Sequence, residues 1–198
     1  MEKINRKIIG IIGPSGSGKS TLAKLLWRNL PCTSICSFAE PLRRMLQRSG
    51  SYSNPWKKIQ CDNYMAGVPV TSALIALGKY FRETYGKDVI IKMMEKEIED
   101  TMSLITTIVI DDVRMPEELT WLKKQGAIII VLMPSLEKKP DKIPETEKMA
   151  WEIIEEQRFL LSDRFITQFA AVFFCYPDAD GEMNFEGIIQ ELKLALFL

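Results

Sequence analysis

Gly13-Pro14-Ser15-Gly16-Ser17-Gly18-Lys19-Ser20-Thr21 is the stretch on which the reading of this 198-residue chain turns. Its glycines keep side chains away from the backbone, so successive N–H groups can converge on phosphate oxygens. The spacing Gly13-x-x-x-x-Gly18-Lys19-Ser20 is the complete phosphate-loop pattern. Such a loop needs a strand before it and a helix after it, whose N-terminal dipole adds to the nest. Both are present: Lys7 to Ile12 is an apolar run, and from Lys19 onward Leu22, Leu25 and Leu26 recur at helical spacing. Lys19 is expected to reach the β- and γ-phosphates and the Ser20 hydroxyl to ligate Mg2+, with Gly13, Ser15, Gly16, Ser17, Gly18 and Thr21 completing the cradle. The expected cofactors are therefore ATP and Mg2+.

Outward from the loop, apolar runs alternate with amphipathic ones. Thr33 to Phe38, Leu104 to Ile110, Ala127 to Leu132 and Ala170 to Cys175 read as further strands. Helices are expected from Pro41 to about Arg48, Thr71 to Tyr85, Asp88 to Asp100, Pro116 to the closing Gly126, Met149 to Leu161 and Phe185 to Leu196. The pattern predicts an α/β P-loop NTPase fold, a parallel five-stranded sheet with helices on both faces. It predicts one domain over 1–198, with a substrate-binding helical subregion over 49–100 and a lid-like segment over 133–149. The polar stretch Ser49 to Pro69 and the proline- and lysine-rich stretch Met133 to Lys148 are the segments expected to be mobile and to close over substrates.

Composition narrows the chemistry. Lys and Arg number 26 and Asp and Glu 26, so no net field draws the chain to nucleic acid or to an anionic membrane. The apolar run before the loop is too short for a signal segment or a span, which predicts a cytoplasmic protein. The four cysteines stand at no metal or redox spacing and read as reduced thiols. The absence of histidine removes Ser-His and Cys-His nucleophile chemistry and His-ligated metals. Lys, Arg, Asp, Glu and a bound ion remain.

Asp111 and Asp112 close the strand expected beside the loop strand, where one of them could hold the magnesium shell; a purely helix-capping role is the alternative. Arg43, Arg82 and Arg114 follow turns or lie on helices near expected strand ends, where guanidinium forks can hold phosphates.

Beyond the loop, three segments resemble those of the phage-type deoxynucleoside monophosphate kinases. They are Ser37-Phe38-Ala39-Glu40-Pro41-Leu42-Arg43, Leu77-Gly78 with Arg82, and Ile110-Asp111-Asp112-Val113-Arg114-Met115-Pro116-Glu117-Glu118. The resemblance spans residues 7 to about 133. It implies phosphoryl transfer from ATP to a (deoxy)nucleoside monophosphate, with Phe38, Glu40, Arg43 and Arg82 on the acceptor side and Lys19, Arg43, Arg82 and Arg114 stabilising transferred charge. A monophosphate is already anionic near neutral pH, so no general base is required. The lysines Lys138, Lys139, Lys142 and Lys148 could add cations.

Two other readings stay open. A P-loop kinase acting on a hydroxyl, of a nucleoside, dephospho-coenzyme A or another small metabolite, would need a carboxylate near the acceptor, and Glu40 could serve. A nucleotide-binding regulator that has lost efficient catalysis is the other. The expected partners are small molecules, not nucleic acid or membrane, with room for a homodimer.

Overall fold

The computed structural model describes residues 6–54, 67–101, 104–133, 140, 142–159, 171–177, 183 and 185–197. The chain divides into two compact units, one made of Met1–Cys36 with Leu104–Leu198 and the other of Ser37–Ser103.

The first unit holds five strands: β1 (Lys7–Ile12), β2 (Thr33–Cys36), β3 (Thr107–Ile110), β4 (Ile128–Leu132) and β5 (Ala171–Cys175). They form one parallel sheet in the order β2-β3-β1-β4-β5. Its helices are α1 (Lys19–Asn29), α5 (Pro116–Lys124), α6 (Lys148–Phe159) and α7 (Glu186–Phe197). A strand covered on both faces has no reason to alternate polar and apolar residues, and β3 and β4 are buried along their whole length. Side chains still alternate in direction. Ile9, Ile11, Val109, Ile128, Ile130 and Leu132 share a cluster with Leu22 and Leu26 of α1 and Ile188 and Leu192 of α7. Gly10 points the opposite way, where a Cβ would stand 2.8 Å from Leu122 Cδ1 of α5. The expected five-stranded parallel sheet with helices on both faces is the observed one.

Several boundaries differ from the sequence reading, for local reasons. β2 stops at Cys36 because Ser37 and Phe38 already turn toward the next helix, with Glu40 N donating to Ser37 O. β3 begins at Thr107, not Leu104, since pairing with β1 starts at Lys7 opposite Thr107, and Leu104 is exposed. Just before that point, the Thr106 and Thr107 amides both donate to the Cys32 carbonyl.

The second unit contains α2 (Glu40–Arg48), α3 (Val70–Tyr85) and α4 (Val89–Thr101), which pack on one another. Phe38, Leu42, Val70, Ile90, Met94 and Ile98 are among its buried apolar residues. It spans the 49–100 range and takes in α2 as well. α3 starts earlier than expected, with Pro69 rather than a polar side chain at its N-cap. The Tyr52 hydroxyl donates to the Val68 carbonyl at 2.8 Å, joining the described ends of the Ser49 to Pro69 stretch; residues 55–66 between them lie outside the described residues. So do 134–139 and 141 of the lid-like segment, including Lys138 and Lys139. Its described part ends in a single 3₁₀ turn, Glu145–Glu147, leading into α6. Among the described residues, no helix is long and apolar enough to cross a membrane.

Candidate functional site: a phosphate cradle and an arginine cluster

The strand order sets the position of the first region. The chain leaves β1 toward β3 and β2 on one side and returns to β4 and β5 on the other, a reversal at which open parallel sheets bind ligands beyond their carboxyl ends. Gly13–Gly18 emerges from that end of β1. Because Gly10 is level with Ile110 on β3, Asp111 emerges at the same end.

Two glycines of the loop are dictated by their surroundings. A Cβ on Gly13 would stand 2.6 Å from Ser17 Oγ, inside any normal contact, and a tight 3.1 Å from Leu132 Cβ. Gly18, at the α1 N-cap, has φ 91°, and a Cβ there would also meet the Phe185 ring at 2.9 Å. The first intrahelical bond of α1 runs from Leu22 N to Gly18 O at 2.9 Å, so the amides of Lys19, Ser20 and Thr21 precede the helical ladder. Those are the groups an anion can use. Lys19 Nζ donates to the carbonyls of Gly13 at 2.7 Å and Pro14 at 2.6 Å, which holds the ammonium across the loop. The Ser17 hydroxyl is buried and has no hydrogen-bond partner among the described residues, whereas Ser15, Ser20 and Thr21 are exposed.

Ser20 Oγ donates to Asp111 Oδ2 at 2.7 Å. A hydroxyl and a carboxylate side by side, next to loop amides, form the hard oxygen donor set that suits Mg2+ together with phosphate oxygens. Of the two candidate carboxylates, Asp111 is the one that meets Ser20. The N-cap position of α5 is Met115. The half-buried Arg114 lies in the same turn, and its amide and that of Met115 donate to Glu118 Oε2 at 2.8 and 3.0 Å.

The second unit carries a separate set of charged groups. Arg43 Nη1 donates to Ser37 Oγ at 2.8 Å and lies 3.8 Å from Glu40. Arg44 lies between two carboxylates, at 3.4 Å from Glu40 and 2.7 Å from Glu97. Burial pushes the Glu97 carboxyl above its usual range, and Glu40 adds to this, while Arg44 and Arg48 pull it back down. Arg82, on α3, lies against Gly78, with its Nη1 at 3.2 Å from the point a Cβ would occupy. Phe38, expected on the acceptor side, is buried. Of the lysines expected to add cations, Lys142 is exposed and Lys148 pairs with Glu145 at 2.6 Å.

Arg44, Glu97, Phe185 and Glu118 were not singled out from the sequence. Glu118 carries a detectable signal, the acidic residue at the third helical position after a cap. Arg44 and Glu97 carry none, because they come from different helices that meet only on folding. Cys32, Cys36 and Cys175 are not in disulfides, and Cys61 lies outside the described residues.

Strand order and loop together define a chain of the P-loop NTPase fold. No protein-family model matches the sequence, and no curated protein is detectably similar to it. Among solved structures, it is similar to a shikimate kinase from Bacteroides thetaiotaomicron, at 16% identity over 97% of this chain and 99% of that one, with a TM-score of 0.45. It is also similar to a shikimate kinase from Acinetobacter baumannii in complex with shikimate, at 13% identity over 98% and 94% of the two chains and a TM-score of 0.42. A tunicamycin resistance protein from Deinococcus radiodurans matches at 16% identity over 98% and 96%, with a TM-score of 0.38. The fold assignment rests on the strand order and the loop, which are this chain's own.

Proposed function

We propose that this protein is a P-loop kinase that transfers the γ-phosphoryl group of ATP to a small molecule. The observation that carries the reading is the 2.7 Å bond from Ser20 Oγ to Asp111 Oδ2 beside the Lys19 ammonium. Two residues at the loop's end and one just beyond a neighbouring strand would supply the groups that a magnesium nucleotide requires.

In this reading the amides of the loop and of the first turn of α1 bind the phosphates. Lys19 exchanges its carbonyl partners for β- and γ-phosphate oxygens and balances the charge that develops during transfer. Ser20 and Asp111 would hold Mg2+, which would supply further charge neutralisation. Catalysis is then mostly positioning, consistent with a chain that lacks histidine.

For the acceptor, the three segments resembling deoxynucleoside monophosphate kinases support a nucleoside monophosphate, with Arg43 and Arg82 as its cationic partners. In that case Arg43, already held by Ser37 and Glu40, is preorganised for a phosphate. A hydroxyl acceptor is the second reading, favoured by one observation: Glu40 brings a half-buried carboxylate into the same group.

A panel assay separates them. The protein is incubated with Mg-ATP and deoxynucleosides, deoxynucleoside and ribonucleoside monophosphates, dephospho-coenzyme A, and shikimate, the compound named for the similar structures. Product from monophosphates alone supports the first reading; product only from a hydroxyl acceptor replaces it with the second. ATP binding without product from any acceptor would favour a regulator.

A further inference from the structure

We infer that Glu118 is a positioning residue for the magnesium nucleotide, acting by fixing the turn that presents Asp111 to Ser20; the inference rests on the kinase reading. The turn between β3 and α5 is short and is held at both ends. At its start, Asp111 accepts the Ser20 hydroxyl at 2.7 Å. At its end, a single carboxylate oxygen, Glu118 Oε2, accepts the Arg114 and Met115 amides at 2.8 and 3.0 Å. Between these anchors Val113 is buried, so the turn cannot relax by rotating that side chain into water.

Glu118 is only 3% exposed, although it stands in the first turn of α5 where a capping carboxylate would normally be solvated. Burying a carboxylate is unfavourable unless its lone pairs are used, and here they go to backbone amides of the turn carrying Asp111 and Arg114. An ordinary helix cap needs one amide at the cap position. The second bond, to Arg114 N, reaches one residue further back and restrains the backbone of the turn itself. A carboxylate that must meet Ser20 from another strand depends on such a restraint, because a displacement of a fraction of an ångström separates a working ion site from a loose one.

Charge and geometry can be separated at this position. Glu118→Gln keeps a carbonyl acceptor at the same reach and removes the charge. Glu118→Asp keeps the charge and withdraws the acceptor by one methylene. The measurement is the ATP dissociation constant by calorimetry with Mg2+ and with EDTA, alongside a circular dichroism melt of each variant. The wild-type protein should bind ATP more tightly with Mg2+. Glu118→Asp should lose about ten- to a hundredfold of that Mg2+-dependent gain, the scale for groups that orient an ion's ligands, with its EDTA affinity unchanged. Glu118→Gln should stay close to wild type.

An Asp variant that binds Mg-ATP as wild type does, or a Gln variant as impaired as Asp, overturns the inference. Equal losses with Mg2+ and with EDTA would also overturn it, since they would mark a purely structural residue. If Glu118→Asp does not fold, Glu118→Asn, which also withdraws the acceptor by one methylene, takes its place: loss of the Mg2+-dependent gain with EDTA affinity unchanged supports the role, and a wild-type gain refutes it. Failure of the kinase reading looks different, because the wild-type protein itself would then bind no ATP under either condition.

Discussion

The loop Gly13–Thr21 and the cluster Ser37–Glu97 both hold cationic groups, but they are built from different materials. In the loop the anion-seeking groups are mostly backbone amides and a helix end, with one lysine laid across them by two carbonyls. In the cluster they are side chains: Arg43 on Ser37 and Glu40, and Arg44 between Glu40 and Glu97. Backbone groups are fixed once the turn forms. A side-chain cluster is only as ordered as the ion pairs that hold it, and each pair includes a carboxylate that must be outcompeted, or retained as a brace, when a ligand arrives. In the proposed kinase reading the loop takes the triphosphate and the cluster takes the acceptor.

The largest effect should come from the loop. Lys19→Ala is expected to lower phosphoryl transfer by at least about a hundredfold, the scale of a lost preorganised electrostatic stabiliser, and to shrink the Mg-ATP-dependent rise in Tm. Full activity in this variant, measured at saturating nucleotide, would mean the loop does not bear on catalysis.

Arg43→Ala tests the cluster and should act on a different parameter. Charge-assisted bonds contribute on the order of 1.5–3 kcal/mol, so acceptor kcat/KM should fall accordingly while ATP affinity stays near wild type. A parallel loss of ATP affinity would erase the contrast between the two regions.

The smallest effect concerns pH. Burial raises the Glu97 carboxyl above the ordinary carboxylate value, which means the folded state binds its proton more tightly than the unfolded state does. Its contribution to stability is therefore greatest below that value and is lost as pH rises through the folded-state value. Glu97→Gln cannot ionise, so its Tm relative to wild type should climb as pH rises from the acid side to neutrality. The change should be below the about 2–4 °C that 1 kcal/mol moves Tm in a chain of this size. A relative Tm that falls over that range would show that Arg44 outweighs burial, making the ion pair a net stabiliser of the cluster.

Much of this was legible from residues close together in the chain. The glycine spacing, the apolar runs and the proline- and glycine-marked helix ends specify strand, loop and helix through short-range sterics and period, and the sheet follows because doubly buried parallel strands are continuously apolar. The sequence also limited the chemistry, since a chain without histidine has few ways to act other than by charge and position. The choice of Asp111 over Asp112 was different. It depends on the register of β3 against β1 and on which way each side chain leaves the strand end, quantities set only when the sheet pairs. The same holds for Phe185 over Gly18, for Arg44 between two helices, and for the second bond of Glu118, which turns a recognisable cap into a brace for the neighbouring turn. Contacts of that kind join residues separated along the chain or depend on side-chain direction, and local propensity does not encode them; the tertiary structure decides them through packing and register.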